Sequence, residues 1–403
     1  MKPNAIKFVL IFHLFMACEM LEKGFVERNS VPFLKGVTYK NETVEKSGSG
    51  KVLLCKPKMI ISRDAPPAGI NEKNGGEFLL KEQCGLNEAC SVHGATECTD
   101  MSQLKANSYI DLMAQYDERP MQLVNFALEN EQSFAMYAIL NDTVSNQLIQ
   151  HGSFAPVLTT IVHSIARPGC AAGASGPKLV LDVGCNLGLV SLIALAHGCD
   201  VVCVEPNGAL IPVLTRSLLR NRFRGHAAVI HAAAAAVWQE IRLTGCGATC
   251  APADSGRPAP AGAHSLAWGE ARPARRGEGH AWAAPLGSLL RGRALIVKVD
   301  VEGYERLAGL GLNHWLRDYG WEHLLIEARG PRRADTVAVY LQGCRGRPRI
   351  RAWRERYYEP VAGWDPGGLP LEPVDFERLR GGAAVPEDLW VTCEADSDAE
   401  AAG

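Results

Sequence analysis

From residue 178 to 393 the chain is a succession of short, continuously apolar runs, each followed by a stretch with helical spacing, and few folds accommodate that alternation. Residues 178–183 read KLVLDV, 200–204 DVVCV, 295–299 LIVKV and 323–326 HLLI, with another such run at 227–232. A strand that is apolar without alternation is buried on both faces, as in a parallel sheet covered by helices on each side. Between the runs, 187–196 (ended by Gly198) and 206–219 (with Pro206 at a tolerated early position) read as helices. Segments 353–358 and 388–392 fit antiparallel edge strands. The expectation is a Rossmann-like α/β domain with a mostly parallel sheet and helices on both faces.

The chemistry-bearing residues fall where strands end. Asp182-Val183-Gly184-Cys185-Asn186-Leu187-Gly188 lies where the first strand turns into a helix. Gly184 and Gly188 would let the backbone approach a ligand at the helix N-terminus. A dinucleotide fingerprint read from Gly184 needs Gly at 186 and Gly or Ala at 189. Asn186 and Leu189 stand there instead, which argues against a pyrophosphate cofactor and a nicotinamide oxidoreductase, and suits a ligand with a compact charged amino-acid end. Glu205, seventeen residues after Gly188 at the end of the second strand, can accept hydrogen bonds from a ribose diol. The fourth strand runs into Lys298-Val299-Asp300-Val301-Glu302-Gly303-Tyr304-Glu305, with three carboxylates within six residues. Asp300 or Glu302 could remove a hydroxyl proton, directly or through a divalent cation held by the carboxylates. Glu305 suits the positive end of the following helix, and His231, ending the third strand, is a competing base.

LVLDVGCNLGLVSLIALAHGCDVVCVEPN followed by LIVKVDVEGYERL resembles the FkbM family of methyltransferases, and NDTVSNQLIQHGSF upstream resembles the segment that precedes the family's first strand. The resemblance spans about residues 140–330. It implies S-adenosylmethionine as cofactor bound by Asp182, Gly184, Asn186, Gly188 and Glu205, and O-methylation of a sugar, glycan or other small molecule, with KVDVEGYE as the family's signature near the substrate. The fold expected is a seven-stranded methyltransferase sheet, and Asp300 and Glu302 are the catalytic residues expected from their place at the strand end. Two positions depart from the family pattern: Ala155 follows Phe154 where an acidic residue is common, and 285–289 lacks a frequent Asp. A non-catalytic module of the same fold, serving binding or assembly, is the alternative.

The rest of the chain frames this domain. Lys2 and Lys7 precede an eleven-residue apolar run, 8–18, too short for a transmembrane helix and suited to a signal peptide or short signal-anchor over 1–20. Sequons at Asn41 and Asn141 and the cysteines 55, 84, 90 and 98 agree with a secretory route, with those four cysteines oxidised. Cys185, Cys199 and Cys203 read as buried thiols. Residues 21–105 read as a Cys-containing stem and 106–166 as helical, with a helix capped by Asp142 or Thr143 and ended by Gly152, then a second helix stopping at Arg167-Pro168-Gly169. The methyltransferase-like domain is placed at 106–394 and an acidic disordered tail at 395–403. In 245–285, 24 of 41 residues are Gly, Ala or Pro, which reads as a flexible surface insertion. With a net charge of −2, composition makes no case for nucleic acid as a partner.

Overall fold

The computed structural model describes residues 38–39, 52–62, 91–100, 121–128, 133–140, 142–152, 154–176, 178–244, 265–267, 279–355, 366–381 and 385–394. The leader, Asn41, Asn141, Cys84, Cys90, the tail and most of the Gly/Ala/Pro-rich segment lie outside these. No helix among the described residues is long and apolar enough to cross a membrane.

The five apolar runs are strands: β6 (Leu179–Val183), β7 (Asp200–Val204), β8 (Ala227–Ile230), β13 (Ala294–Val299) and β14 (Trp321–Glu327). With β17 (Asp388–Glu394) and β15 (Arg347–Trp353) they lie in the order β8-β7-β6-β13-β14-β17-β15, in which only β17 runs antiparallel to its neighbours. This is a Rossmann-like α/β sheet. The order reverses between β6 and β13, the switch point where ligands of such sheets bind.

Two hydrophobic cores flank the sheet. One face is covered by helices α1 (Thr143–His151), α2 (Pro156–Gly169), α3 (Leu189–Ala196) and α4 (Ile211–Arg220), through residues such as Leu148, Ile161, Leu192 and Leu214. The other is covered by α5 (Glu305–Asp318), α6 (Arg333–Leu341) and α7 (Phe376–Arg380), through Leu312, Trp315, Val337, Tyr340 and Leu379. Helix α1 starts as expected, Asp142 accepting the Ser145 N–H at 2.8 Å, and Gly152 ends it at φ 66°.

Four expectations are corrected. The sheet has eleven strands rather than seven. The stem supplies three of the extra ones: β2 (Val52–Ser62) pairs parallel with β8 and antiparallel with β3 (Ser91–Asp100), and β3 pairs with β1 (Thr38–Tyr39); β16 (Glu372–Val374) is added at the far edge. Residues 106–166 are not helical throughout, because β4 (Met121–Ala127) and β5 (Ser133–Ile139) form a hairpin that buries Phe126, Phe134 and Met136 in the α1–α4 core. The insertion is not featureless. β10 (Gln239–Thr244) pairs with β11 (Ser265–Ala267) and β12 (Gly279–Ala284), and β12 pairs with β9 (Ala233–Ala234), so strand pairing accounts for residues 265–267 and 279–284.

The fourth correction concerns cysteines. Cys185 and Cys203 are buried free thiols, as expected, but Cys199 is disulfide-bonded to Cys170, joining the end of α2 to the start of β7. A second bridge, Cys344–Cys393, ties the segment after α6 to β17. Cys55 is also disulfide-bonded, and Cys98 stands opposite it in the β2–β3 ladder. The two bridges span 29 and 49 residues, so opening either should cost about 3–4 kcal/mol. Cys199→Ala and Cys393→Ala should each lower the urea midpoint accordingly, and the oxidised protein should yield both cross-linked peptides on mass spectrometry. Unchanged midpoints would show that the bridges contribute nothing to stability.

Candidate active site

The C-terminal ends of β6, β7, β13 and β14 and the N-terminal end of β17 share one edge of the sheet, and a cavity of about 420 Å³ opens there. The turn after β6 supplies Gly184, Cys185 and Asn186. β7 delivers Glu205, the loop after β13 delivers Asp300, Glu302 and Tyr304, and Glu327, Arg329, Glu355 and Asp388 close the far end. Phe154, Ala155 and Leu158 form the front wall. Three non-glycine residues with positive φ occur among the described residues: Ala155 (48°), Asn186 (53°) and Glu302 (55°), and all three line this cavity. Such conformations cost about 1–3 kcal/mol each and persist where the surroundings over-determine them, typically at functional sites.

Of the seven residues singled out in the sequence, Gly184, Asn186, Glu205, Asp300 and Glu302 line the cavity; Asp182 and Gly188 stand behind its wall. Gly188 is required by its backbone: its φ of +87° is one that L side chains rarely adopt, while the Leu214 Cδ1 that a Cβ would meet at 2.3 Å is the end of a flexible side chain. Gly184 is needed more stringently. At φ +75°, its Cβ would fall 1.8 Å from the Asp300 carbonyl oxygen. What approaches Gly184 is therefore the backbone of the second motif, whose Asp300 N–H donates to Val183 O at 3.1 Å.

Glu205 is 4% exposed and held by backbone on both sides. Its Oε2 accepts the Asn186 N–H at 2.9 Å and its Oε1 the Asn207 N–H at 2.8 Å. Each oxygen keeps a second lone pair for a ligand hydroxyl. Burial pushes the carboxyl up to about 7, against the pull of the two N–H donors and Lys298.

Asp182 is fully buried, its Oδ2 accepting from Ser191 Oγ at 2.7 Å. Its Oδ1 lies 3.4 Å from Lys298 Nζ. Lys298 in turn donates to Gly184 O at 2.6 Å and stands 3.7 Å from Asp300 Oδ2. Burial works against its charge, but Asp182 and then Asp300 outweigh burial and hold the ammonium above its ordinary range. A permanently protonated Lys298 cannot act as a base; it ties the β6 turn to the β13 loop.

At the far end Arg329 gathers carboxylates. It pairs with Glu302 at 3.0 Å, with Glu387 at 3.3 Å and, closely, with Glu327. Burial, then the negative charge of Asp300, raises Glu302 to about 7 and Glu327 to about 8. Burial, then Glu355 and Asp300, raises Asp388 to about 7. These groups titrate near neutrality, where a proton acceptor works best. The donor set does not fit a divalent cation: Arg329 and Lys298 already sit among the carboxylates, and no group of three or more His, Cys, Asp or Glu among the described residues is arranged to hold one. His231 lies outside the cavity wall, its Nε2 3.2 Å from Pro206 O.

Sequence reasoning named Lys298 only as part of a motif and missed Glu327, Arg329, Glu355 and Asp388. Glu327 ends the strand beside β13, so the strand-end rule that found Glu205 could have found it. Asp388 begins an antiparallel strand at the same edge, and Glu355 comes from beyond the stretch that carries the motifs.

No protein-family model matches the chain, and no curated protein is similar to it in sequence. Among solved structures it is similar to a protein from Streptococcus mutans described as a SAM-dependent methyltransferase, at 10% identity and a TM-score of 0.31, covering 68% of this chain. The chain spans 57% of that protein's length. It is also similar to a SAM-dependent methyltransferase from Agrobacterium tumefaciens, at 11% identity and a TM-score of 0.31, over 65% of this chain and 68% of the other. The strand order β8-β7-β6-β13-β14-β17-β15 by itself defines the Rossmann-like sheet.

The two glycines flanking the switch point separate two physical effects. Gly184→Ala adds a backbone collision to an unfavourable φ and should destabilise by more than about 3 kcal/mol. Gly303→Ala, at φ +94° with nothing within 4 Å of its Cβ, meets only the conformational term, about 1–2 kcal/mol. Chemical denaturation of both variants checks this; equal losses would mean that the contact with Asp300 is not a constraint.

Proposed function

We propose that this chain is an S-adenosylmethionine-dependent methyltransferase of FkbM type that methylates a hydroxyl of a glycan or other small molecule in the lumen of the secretory pathway. One observation carries the reading: Gly184 stands between a buried carboxylate suited to a ribose diol, Glu205, and a carboxylate suited to an acceptor hydroxyl, Asp300, in one cavity at the switch point. Glu205 and the backbone of Gly184–Asn186 would hold the cofactor. When bound, S-adenosylmethionine supplies an electrophilic methyl group on its sulfonium.

The chain's own residues have two tasks, alignment and proton removal. Asp300, fixed in register by its N–H bond to Val183 and flanked by Lys298, takes the acceptor proton; Glu302 is the second candidate. Asp182 acts from behind, by keeping Lys298 in place. The disulfides at Cys55, Cys170–Cys199 and Cys344–Cys393 support an oxidising compartment.

The engagement of Glu302, Glu327 and Glu387 by Arg329 favours a second reading, a non-catalytic module of the same fold, because the guanidinium occupies carboxylate oxygens that an acceptor hydroxyl would need.

Glu205→Ala should weaken cofactor binding by about 1–3 kcal/mol, measured by calorimetry. Ligand hydroxyls donate to the ionised carboxylate, so binding favours the deprotonated form. Wild-type affinity should therefore level off above pH 7 and fall roughly tenfold per pH unit below it, a dependence that Glu205→Gln abolishes. Absence of cofactor binding by the wild type would refute the proposal.

Asp300→Asn should slow turnover with a glycan or small-molecule acceptor by about 10²–10⁴-fold and leave cofactor affinity nearly unchanged. Normal turnover in this variant would move the base to Glu302. Cofactor binding without turnover in the wild type across a broad acceptor panel would favour the non-catalytic module.

A further inference from the structure

Helix α2 begins without a cap of its own. Ala155 occupies the N-cap position at φ 48° and has no side-chain acceptor, and Pro156 follows as the first helical residue. The next two N–H groups, of Val157 and Leu158, are those an N-cap side chain normally satisfies. They are satisfied from almost 200 residues away: the Val157 N–H donates to Glu355 Oε1 at 2.9 Å and the Leu158 N–H to Glu355 Oε2 at 3.1 Å. The same Oε2 accepts the Trp353 indole N–H at 3.2 Å, and Trp353, at the end of β15, is 2% exposed. Glu355 is thus fixed at three points, to a buried residue of the sheet on one side and to the first turn of α2 on the other.

That first turn is the front wall of the cavity. Phe154, Ala155 and Leu158 line the same cavity as the β6-turn residues Gly184, Cys185 and Asn186, and Glu355 itself lines the space. We propose that Glu355 is a positioning residue that holds this wall closed over the cofactor, so that retention of the nucleoside depends on a carboxylate contributed by the end of the sheet remote from the binding motifs. The inference rests on the cofactor reading above. Its physical basis is that Ala155 is held in a backbone conformation that alanine disfavours. With the carboxylate gone, the helix start would lose both its charge-assisted cap and the constraint on Ala155, and Phe154 would no longer be registered to the sheet.

The test uses the full-length protein with S-adenosylmethionine and S-adenosylhomocysteine as probes, comparing wild type, Glu355→Gln and Glu355→Ala. Loss of a cap of this kind corresponds to roughly a tenfold change in an equilibrium constant. Glu355→Ala should therefore release both ligands about tenfold faster. Glu355→Gln, which keeps one acceptor oxygen, should fall between. Amide exchange should accelerate at Val157 and Leu158 while the amides of α2 from Ile161 onward keep their protection, which separates a loosened wall from general unfolding. Wild-type binding with unchanged release rates in Glu355→Ala overturns the inference and spares the cofactor reading. Faster exchange along the whole of α2 also overturns it, by making Glu355 a residue of general stability. No binding by the wild type would sink both.

Discussion

The contact on which the site depends is between two stretches of backbone: a Cβ at Gly184 would fall 1.8 Å from the Asp300 carbonyl oxygen, so the two loops meet only because residue 184 has no side chain. β6 and β13 are neighbours at the point where strand order reverses, and helices leave them on opposite faces of the sheet. Their outgoing loops would diverge if anything filled the space between them. The absent side chain at Gly184 lets the loops touch, and Lys298 then fastens them by donating to Gly184 O while facing Asp182 and Asp300. A buried ammonium with a fully buried carboxylate behind it costs desolvation on both sides. Its return is geometric: the turn after β6 and the loop after β13 cannot shift independently.

The half of the cavity around Arg329 is electrostatically unlike the half around Glu205. Asp300, Glu302, Glu327, Glu355 and Asp388 converge from four separate segments, with Arg329 and Lys298 as the cations among them. Burial, and then mutual repulsion, brings Glu302 and Asp388 up to about 7 and Glu327 up to about 8, so the charge of that half changes near neutrality. A ligand bearing its own negative charge would meet repulsion there.

The sheet's centre was legible in the sequence because its strands are buried on both faces, and continuous apolar runs such as 179–183 and 295–299 leave little ambiguity. Glu205 and Asp300 were legible as residues of the cavity for the related reason that strand ends at a switch point border the crevice. The β4–β5 hairpin was not. Its strands are half-buried, and the helix that follows lent its pattern to the whole region. Asp182 read as a ligand residue because it sits beside the turn, yet in the interior of a strand the alternation of side chains directs it to Ser191 and Lys298. Cys199 looked like an ordinary core thiol, since nothing local reveals that Cys170 at the end of α2 comes to meet it. Glu355 carried no signal, because capping a helix from a distant loop leaves no pattern of spacing.

β2 changes what counts as one folding unit. Its first four residues pair in parallel with Ala227–Ile230, with Leu53 and Cys55 in one core and Val52 and Leu54 in the other, all buried. The segment that reads as a stem is thus interior material at this point. A polypeptide trimmed to begin near residue 106 would keep every motif and lose the strand that covers β8. Its outermost strand would then be four consecutive apolar residues with unpaired backbone amides and carbonyls, a template for pairing with other copies. Solubility of the part that carries the motifs therefore depends on a stretch of chain that lines no part of the cavity.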